Sequence, residues 1–130
     1  MDEYLKPNSS FLRLLNEYSE YGSLIIGVDF DNTLYDYHKK GENYEMVRQL
    51  VRDLKEIGCQ IIIWTASNDL QFVEQFCREN NIPNDGINIQ GIKLGWESRK
   101  PFFSALLDDR AGLQQVYQEL NLLTKIVREV

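Results

Sequence analysis

Three apolar runs in this chain each end in residues able to do chemistry. "SLIIGV" leads into Asp29 and Asp31, "QIIIW" into Thr65, and "FFSALL" into Asp108 and Asp109. Residues i and i+2 of a strand share a face, so Asp29 and Asp31 are expected side by side. Like charges at that spacing repel, and withdrawing them from water without a counter-charge is costly. Carboxylates gathered this way require a cation. Oxygen donors with no Cys or His beside them suit a hard ion such as Mg²⁺ better than zinc. A carboxylate beside such an ion can also attack phosphorus, forming an acyl-phosphate that divides one displacement into two easier ones. The Thr65 hydroxyl and the Lys100 ammonium would then meet the charge on the phosphoryl oxygens.

The elements that must position these groups follow from periodicity. Phe11, Leu14, Leu15 and Tyr18 recur at helical spacing behind Ser9 and Ser10, either of which could cap a first helix ending at Gly22. "SLIIGV" and "QIIIWT" are continuous apolar runs, the mark of strands covered on both faces. Between them Met46, Val47, Leu50, Val51 and Leu54 form one stripe, with Gly58 as a C-terminal stop. Asn68 or Asp69 opens a helix to about Glu79 with Leu70, Val73, Phe76 and Cys77 inward. "INI" reads as a short strand and "FFSALL" as a strong one. A last helix follows Gly112, and the pattern leaves open whether "LLTKIVREV" prolongs it or forms an edge strand. Alternating strands and helices predict an α/β fold, a three-layer Rossmann-like domain with a mostly parallel central sheet. Ligands of such sheets sit at the carboxyl ends of the strands, where the chemistry lies here.

The 130 residues predict a single domain over 1–130, with 1–23 as a helical extension packed on the core. Fourteen basic against twenty acidic residues, a net charge of −6, argue against a duplex nucleic acid partner. The longest apolar runs are strand-sized, so no membrane partner is expected. "MDEYLKPNSS" has no basic stretch followed by an apolar one, and Cys59 and Cys77 lack metal-type spacing. The expectation is a cytoplasmic protein with reduced core thiols.

The order of these residues resembles the haloacid dehalogenase (HAD) superfamily over roughly residues 24 to 121. "DFDNTL" is similar to its first motif, "IIIWTAS" to the second, Lys100 to the third and "LLDDR" to the fourth. The resemblance implies a Mg²⁺-dependent phosphomonoester hydrolase that works through an aspartyl-phosphate. It implies Asp29 as nucleophile and Asp31 as the acid, then base, whose backbone carbonyl also binds the metal. Asp108 would be the remaining carboxylate on Mg²⁺, with Asp109 acting through water or by orienting Lys100. Thr65 and the backbone amides of Asn32 and Ala66 would hold the phosphoryl group, and Lys100 would neutralise charge. Dehalogenases of the family lack the second aspartate of the first motif, so Asp31 favours phosphoryl chemistry. A receiver domain uses similar residues in a different order, with the acidic pair first and the phospho-accepting Asp alone on the third strand.

No room exists for the cap domain many relatives insert, so the site is expected to be open or covered by a neighbouring subunit. The segments 35–41, with His38, Lys39 and Lys40, and 88–99, with Lys93 and Trp96, could gate it. Lys100 is preferred over Lys93 as the catalytic lysine because it adjoins the last strand, and His38 reads as an exposed loop residue. Substrates left open are a nucleotide-like or other small phosphomonoester, a nucleic-acid end or a phosphoprotein. The competing reading is a catalytically silent scaffold that keeps the phosphate and metal sites.

Overall fold

The computed structural model describes residues 2–89 and 100–129. A short 3₁₀ turn (Glu3–Leu5) precedes α1 (Ser9–Tyr21), β1 (Ile25–Asp29), α2 (Glu45–Glu56), β2 (Gln60–Trp64), α3 (Leu70–Glu79), β3 (Gly86–Ile87), β4 (Ala105–Leu107) and α4 (Leu113–Arg128). The four strands form one all-parallel sheet in the order β3-β2-β1-β4, flanked by helices in the manner of a three-layer Rossmann-like domain. Among the described residues, α2 alone lies between Asp31 and β2, and no cap domain stands over the strand ends. No helix among them is long and apolar enough to cross a membrane.

Alternation along the strands decides which face is filled by what. Ile26 and Val28 of β1, Ile61 and Ile63 of β2 and Leu107 of β4 join Leu14, Val47, Leu50, Leu54, Val73, Cys77, Leu120 and Leu123 of the helices in one buried cluster. The intervening residues take the opposite face. There Gly27 pairs in register with Leu106 and lies under the Phe103 ring, which meets Trp64 edge to face at 5.8 Å. Both cysteines are free and buried, and burial pushes each thiol up to about 11, so neither is reactive.

Several local expectations change for identifiable reasons. Asn8, not a serine, precedes α1, because the Ser9 hydroxyl donates to the Tyr4 carbonyl and the Ser10 hydroxyl to Glu119 at 2.6 Å. Met46 sits at the edge of the α2 stripe and is 68% exposed, and Leu70 is likewise outside the core. The apolar run before Asp108 forms only three residues of strand: the Ser104 N–H still donates to the Ile25 carbonyl at 2.6 Å, and beyond that bond side chains take the place of the ladder. The Ile25 N–H donates to the Ser104 hydroxyl at 2.9 Å, and that hydroxyl in turn donates to Glu17. The Ser104 carbonyl is occupied by the Arg13 guanidinium at 3.1 Å. The carboxy-terminal segment prolongs α4, with Leu123 and Thr124 buried and Arg128 tied to Asp53 and Glu56 of α2.

Gly27 is the position where this sheet tolerates no side chain. A β-carbon there would lie 2.9 Å from the Phe103 ring and 3.0 Å from a Leu106 methyl. Gly27→Ala is therefore expected to destabilise by about 1–3 kcal/mol, as overpacking does. Urea unfolding checks this, and an unchanged midpoint would show that the second face is loosely packed.

Candidate functional site

The carboxyl edge of the sheet gathers the polar residues. Val28 pairs with Leu107 in register, and the next residues along the chain are Asp29, the last of β1, and Asp108, the first beyond β4. The in-register ends of adjacent parallel strands therefore bring these two carboxylates together. Asp109 completes the group. One carboxylate oxygen from each of Asp29, Asp108 and Asp109 lies within 4.8 Å of the other two.

Thr33 connects the two strand ends. Its fully buried hydroxyl donates to the Asp29 carboxylate at 3.4 Å and accepts from the Asp109 backbone N–H at 3.2 Å. Asp108 is steadied by its own turn, one oxygen accepting from the Arg110 N–H at 2.9 Å. The Asp29 carboxyl responds to this crowding: burial, a hydrogen bond with Asp109 and the charges of Asp108 and Asp109 push it up to about 7. Asp31 is also raised, chiefly by burial and then by Asp109, with His38 opposing.

Asp31 does not stand beside Asp29 on a strand. β1 stops at Asp29, and the chain folds into a tight turn in which the Phe30 carbonyl accepts from the N–H groups of Thr33, Leu34 and Tyr35. Asn32 takes a left-handed conformation there, and its N–H donates to the Tyr35 carbonyl at 2.8 Å. That amide, expected to hold a phosphoryl group, is thus occupied within the turn. The carboxylate trio is completed by Asp109, not Asp31, which lines a neighbouring cavity of about 730 Å³ together with Ala66.

Thr65 follows β2 directly and is pinned by Asn88. Its N–H donates to the Asn88 side-chain oxygen at 2.8 Å, and the Asn88 amide donates back to its carbonyl at 2.9 Å. The Thr65 hydroxyl accepts from the Ser67 N–H at 3.0 Å, which leaves its own proton to give. Ser67 and then Asp69 continue the turn, and Asp69 caps α3 as expected. Lys100 is exposed on the segment leading into β4. His38 is exposed on the loop after Asp31, against Tyr37. Lys93 and Trp96 lie outside the described residues. Asn88 escaped sequence reasoning, and Thr33, which fits the first motif two places after Asp31, was given no role in the site.

The donor set suits a divalent hard cation. Opposed ligands of an octahedral Mg²⁺ are about 4.2 Å apart and adjacent ones closer, so three oxygens within 4.8 Å can share one ion with small adjustments. All three donors are carboxylate oxygens, the hard type Mg²⁺ prefers.

No family model matches the chain, and no curated protein does. A solved structure of a conserved protein from Bacteroides thetaiotaomicron is similar in fold, with a TM-score of 0.61 at 20% identity, over 82% of this chain and 91% of that one. At that identity the likeness extends to the fold alone.

The raised Asp29 carboxyl has a consequence for stability. Folded protein holds a proton there between the ordinary value of 3.8 and about 7, where the unfolded chain does not. Metal-free stability from this group therefore falls as pH rises through that window. Thermal melts in chelator should show wild type losing stability relative to Asp29→Asn as pH is raised towards 8. Added Mg²⁺ should restore wild type, most at high pH where no proton competes. Parallel pH profiles for the two proteins would show that Asp29 is an ordinary surface acid.

Proposed function

We propose that this chain is a Mg²⁺-dependent phosphomonoester hydrolase of the HAD superfamily, acting through an aspartyl-phosphate on Asp29. The observation that carries the reading is the trio Asp29, Asp108 and Asp109 at the carboxyl ends of β1 and β4, with Asp31, which feels the Asp109 charge, lining a separate cavity. When bound, Mg²⁺ would supply positive charge to the phosphoryl oxygens and displace the proton held on Asp29.

The chain's own groups account for the remaining steps. The Asp29 carboxylate attacks phosphorus and the bond to the leaving oxygen breaks. The Asp31 carboxyl, raised by burial and thus able to hold a proton, gives it to that oxygen. Asp31 then takes a proton from water, whose oxygen attacks phosphorus and frees Asp29 and inorganic phosphate. The Thr65 hydroxyl and the Ala66 amide donate to the phosphoryl oxygens, and Lys100 offsets their charge. Thr33 keeps Asp29 and Asp109 in register, a positioning role through the two hydrogen bonds it makes.

The substrate in this reading is a small phosphorylated molecule entering an open site. A cytoplasmic setting fits the two free, buried thiols.

Purified protein with Mg²⁺ should release inorganic phosphate from a simple phosphomonoester such as glycerol phosphate, and chelator should stop it. Asp29→Asn should lower turnover by at least about 10³-fold, the scale on which removal of a nucleophile acts. Wild type that binds Mg²⁺ yet releases no phosphate from any monoester would instead identify a silent scaffold.

A further inference from the structure

The cavity beside Asp31 is far larger than a phosphoryl group and is walled by rings. It measures about 730 Å³, and Asp31, Ala66, Tyr35, Tyr37, Phe72 and Lys39 line it. Under the proposed function Ala66 holds the phosphoryl oxygens and Asp31 protonates the leaving oxygen, so the leaving group itself must occupy this space.

The rings are held before any substrate arrives. Tyr35 stacks on buried Phe30 with centroids 5.3 Å apart and planes at 16°. Phe72, projecting from α3, meets Tyr35 edge to face at 5.3 Å and Phe30 at 6.2 Å. The Lys39 ammonium donates to the Tyr35 hydroxyl at 2.5 Å, fixing the rim of the loop. The Asp36 carboxylate fastens the same loop, accepting from the Lys40 and Gly41 N–H groups at 3.0 and 2.7 Å.

Packing the turn onto α3 explains Phe30 and Tyr35, but not why Phe72 stays 40% exposed and Tyr37 57% exposed on the cavity. Two large rings left open to water beside a polar reaction centre fit a flat partner. The Lys39 ammonium and the Asn68 side chain, also in the lining, supply polar contacts for the edge of such a ring.

We infer that the leaving alcohol of the substrate carries a flat aromatic or heteroaromatic ring, which stacks against Tyr37 and Phe72. The inference rests on the proposed hydrolase reading and narrows its substrate class. In the reaction the bond from phosphorus to the ring-bearing alcohol oxygen breaks, and that oxygen takes the Asp31 proton. The new bond joins phosphorus to an Asp29 oxygen until water replaces it.

The test compares kcat/KM for glycerol phosphate, phenyl phosphate and a nucleoside 5′-monophosphate with Mg²⁺, in wild type, Tyr37→Ala and Phe72→Ala. Removing a stacking ring should lower the preference for the ring-bearing substrate over glycerol phosphate by roughly fivefold to a hundredfold, mostly through KM. Phe72 also packs on Phe30, so Phe72→Leu, which keeps bulk without a ring, stands in should Phe72→Ala fail to fold. If the loss appears with the nucleoside monophosphate alone, the ring is a nucleobase; with phenyl phosphate as well, any aryl group serves. A preference untouched by all three substitutions, with glycerol phosphate turned over normally, would overturn this inference and leave the hydrolase reading intact. No turnover of any substrate would overturn both.

Discussion

Three carboxylates held within 4.8 Å are the constraint around which the rest of this structure is arranged. At that separation mutual repulsion and loss of water both oppose ionisation, and they push the Asp29 carboxyl up to about 7. A sheet does not place such a group at its end to gain stability. In the reading proposed here a divalent cation replacing the proton would regain the free energy lost there, and the apolar scaffold beneath carries the cost meanwhile. Ile26, Val28, Ile61, Ile63 and Leu107 are all essentially inaccessible to solvent, so the strand ends cannot splay apart to relieve the repulsion.

The same rigidity explains how the site is built from so few residues. β4 has three residues and pairs with β1 over a short register, yet its position is fixed at both ends. Below, the Ser104 hydroxyl joins Ile25 to Glu17 of α1, while Arg13 holds the Ser104 carbonyl. Above, Thr33 ties Asp109 to Asp29. Between these fastenings Gly27 admits the Phe103 ring at a distance no other residue would allow. On the far side of β1, the Asn88 side chain continues the pairing of β2 and β3 one residue further and so sets the direction of Thr65. Chemistry at the edge thus depends on polar side chains standing in for ladder bonds where the short strands end.

Much of this was legible in the sequence, and the exceptions share a cause. β1 and β2 announce themselves because both faces are buried and the runs are continuously apolar. Asp29 and Asp108 could be assigned because each directly follows an apolar run, where period-two geometry and parallel pairing leave little freedom. Period-two spacing put Asp31 beside Asp29 only if β1 continued to residue 31; the strand ends at Asp29, where the Phe30 carbonyl collects three N–H groups into a turn. Ser104 looked like an ordinary strand residue, but its hydroxyl takes the Ile25 N–H in place of a ladder carbonyl and passes its own proton to Glu17, 87 residues away in sequence. Thr33 and Asn88 act on partners 76 and 23 residues distant; the motif around Asp31 marks Thr33, but no local pattern reveals its bond to Asp109 or the role of Asn88. Local periodicity specified the elements; the site's alignment is carried by single long-range side-chain bonds.

The account depends on one ion shared by the carboxylates of β1 and β4. Anomalous diffraction from crystals grown with Mn²⁺ in place of Mg²⁺ tests it directly. The expected result is a single peak in bonding contact with Asp29 and Asp108, adjacent to Asp109 and the mouth of the Asp31 cavity. A map with no peak there at saturating Mn²⁺, or with manganese bound only at other surface acids, would contradict it.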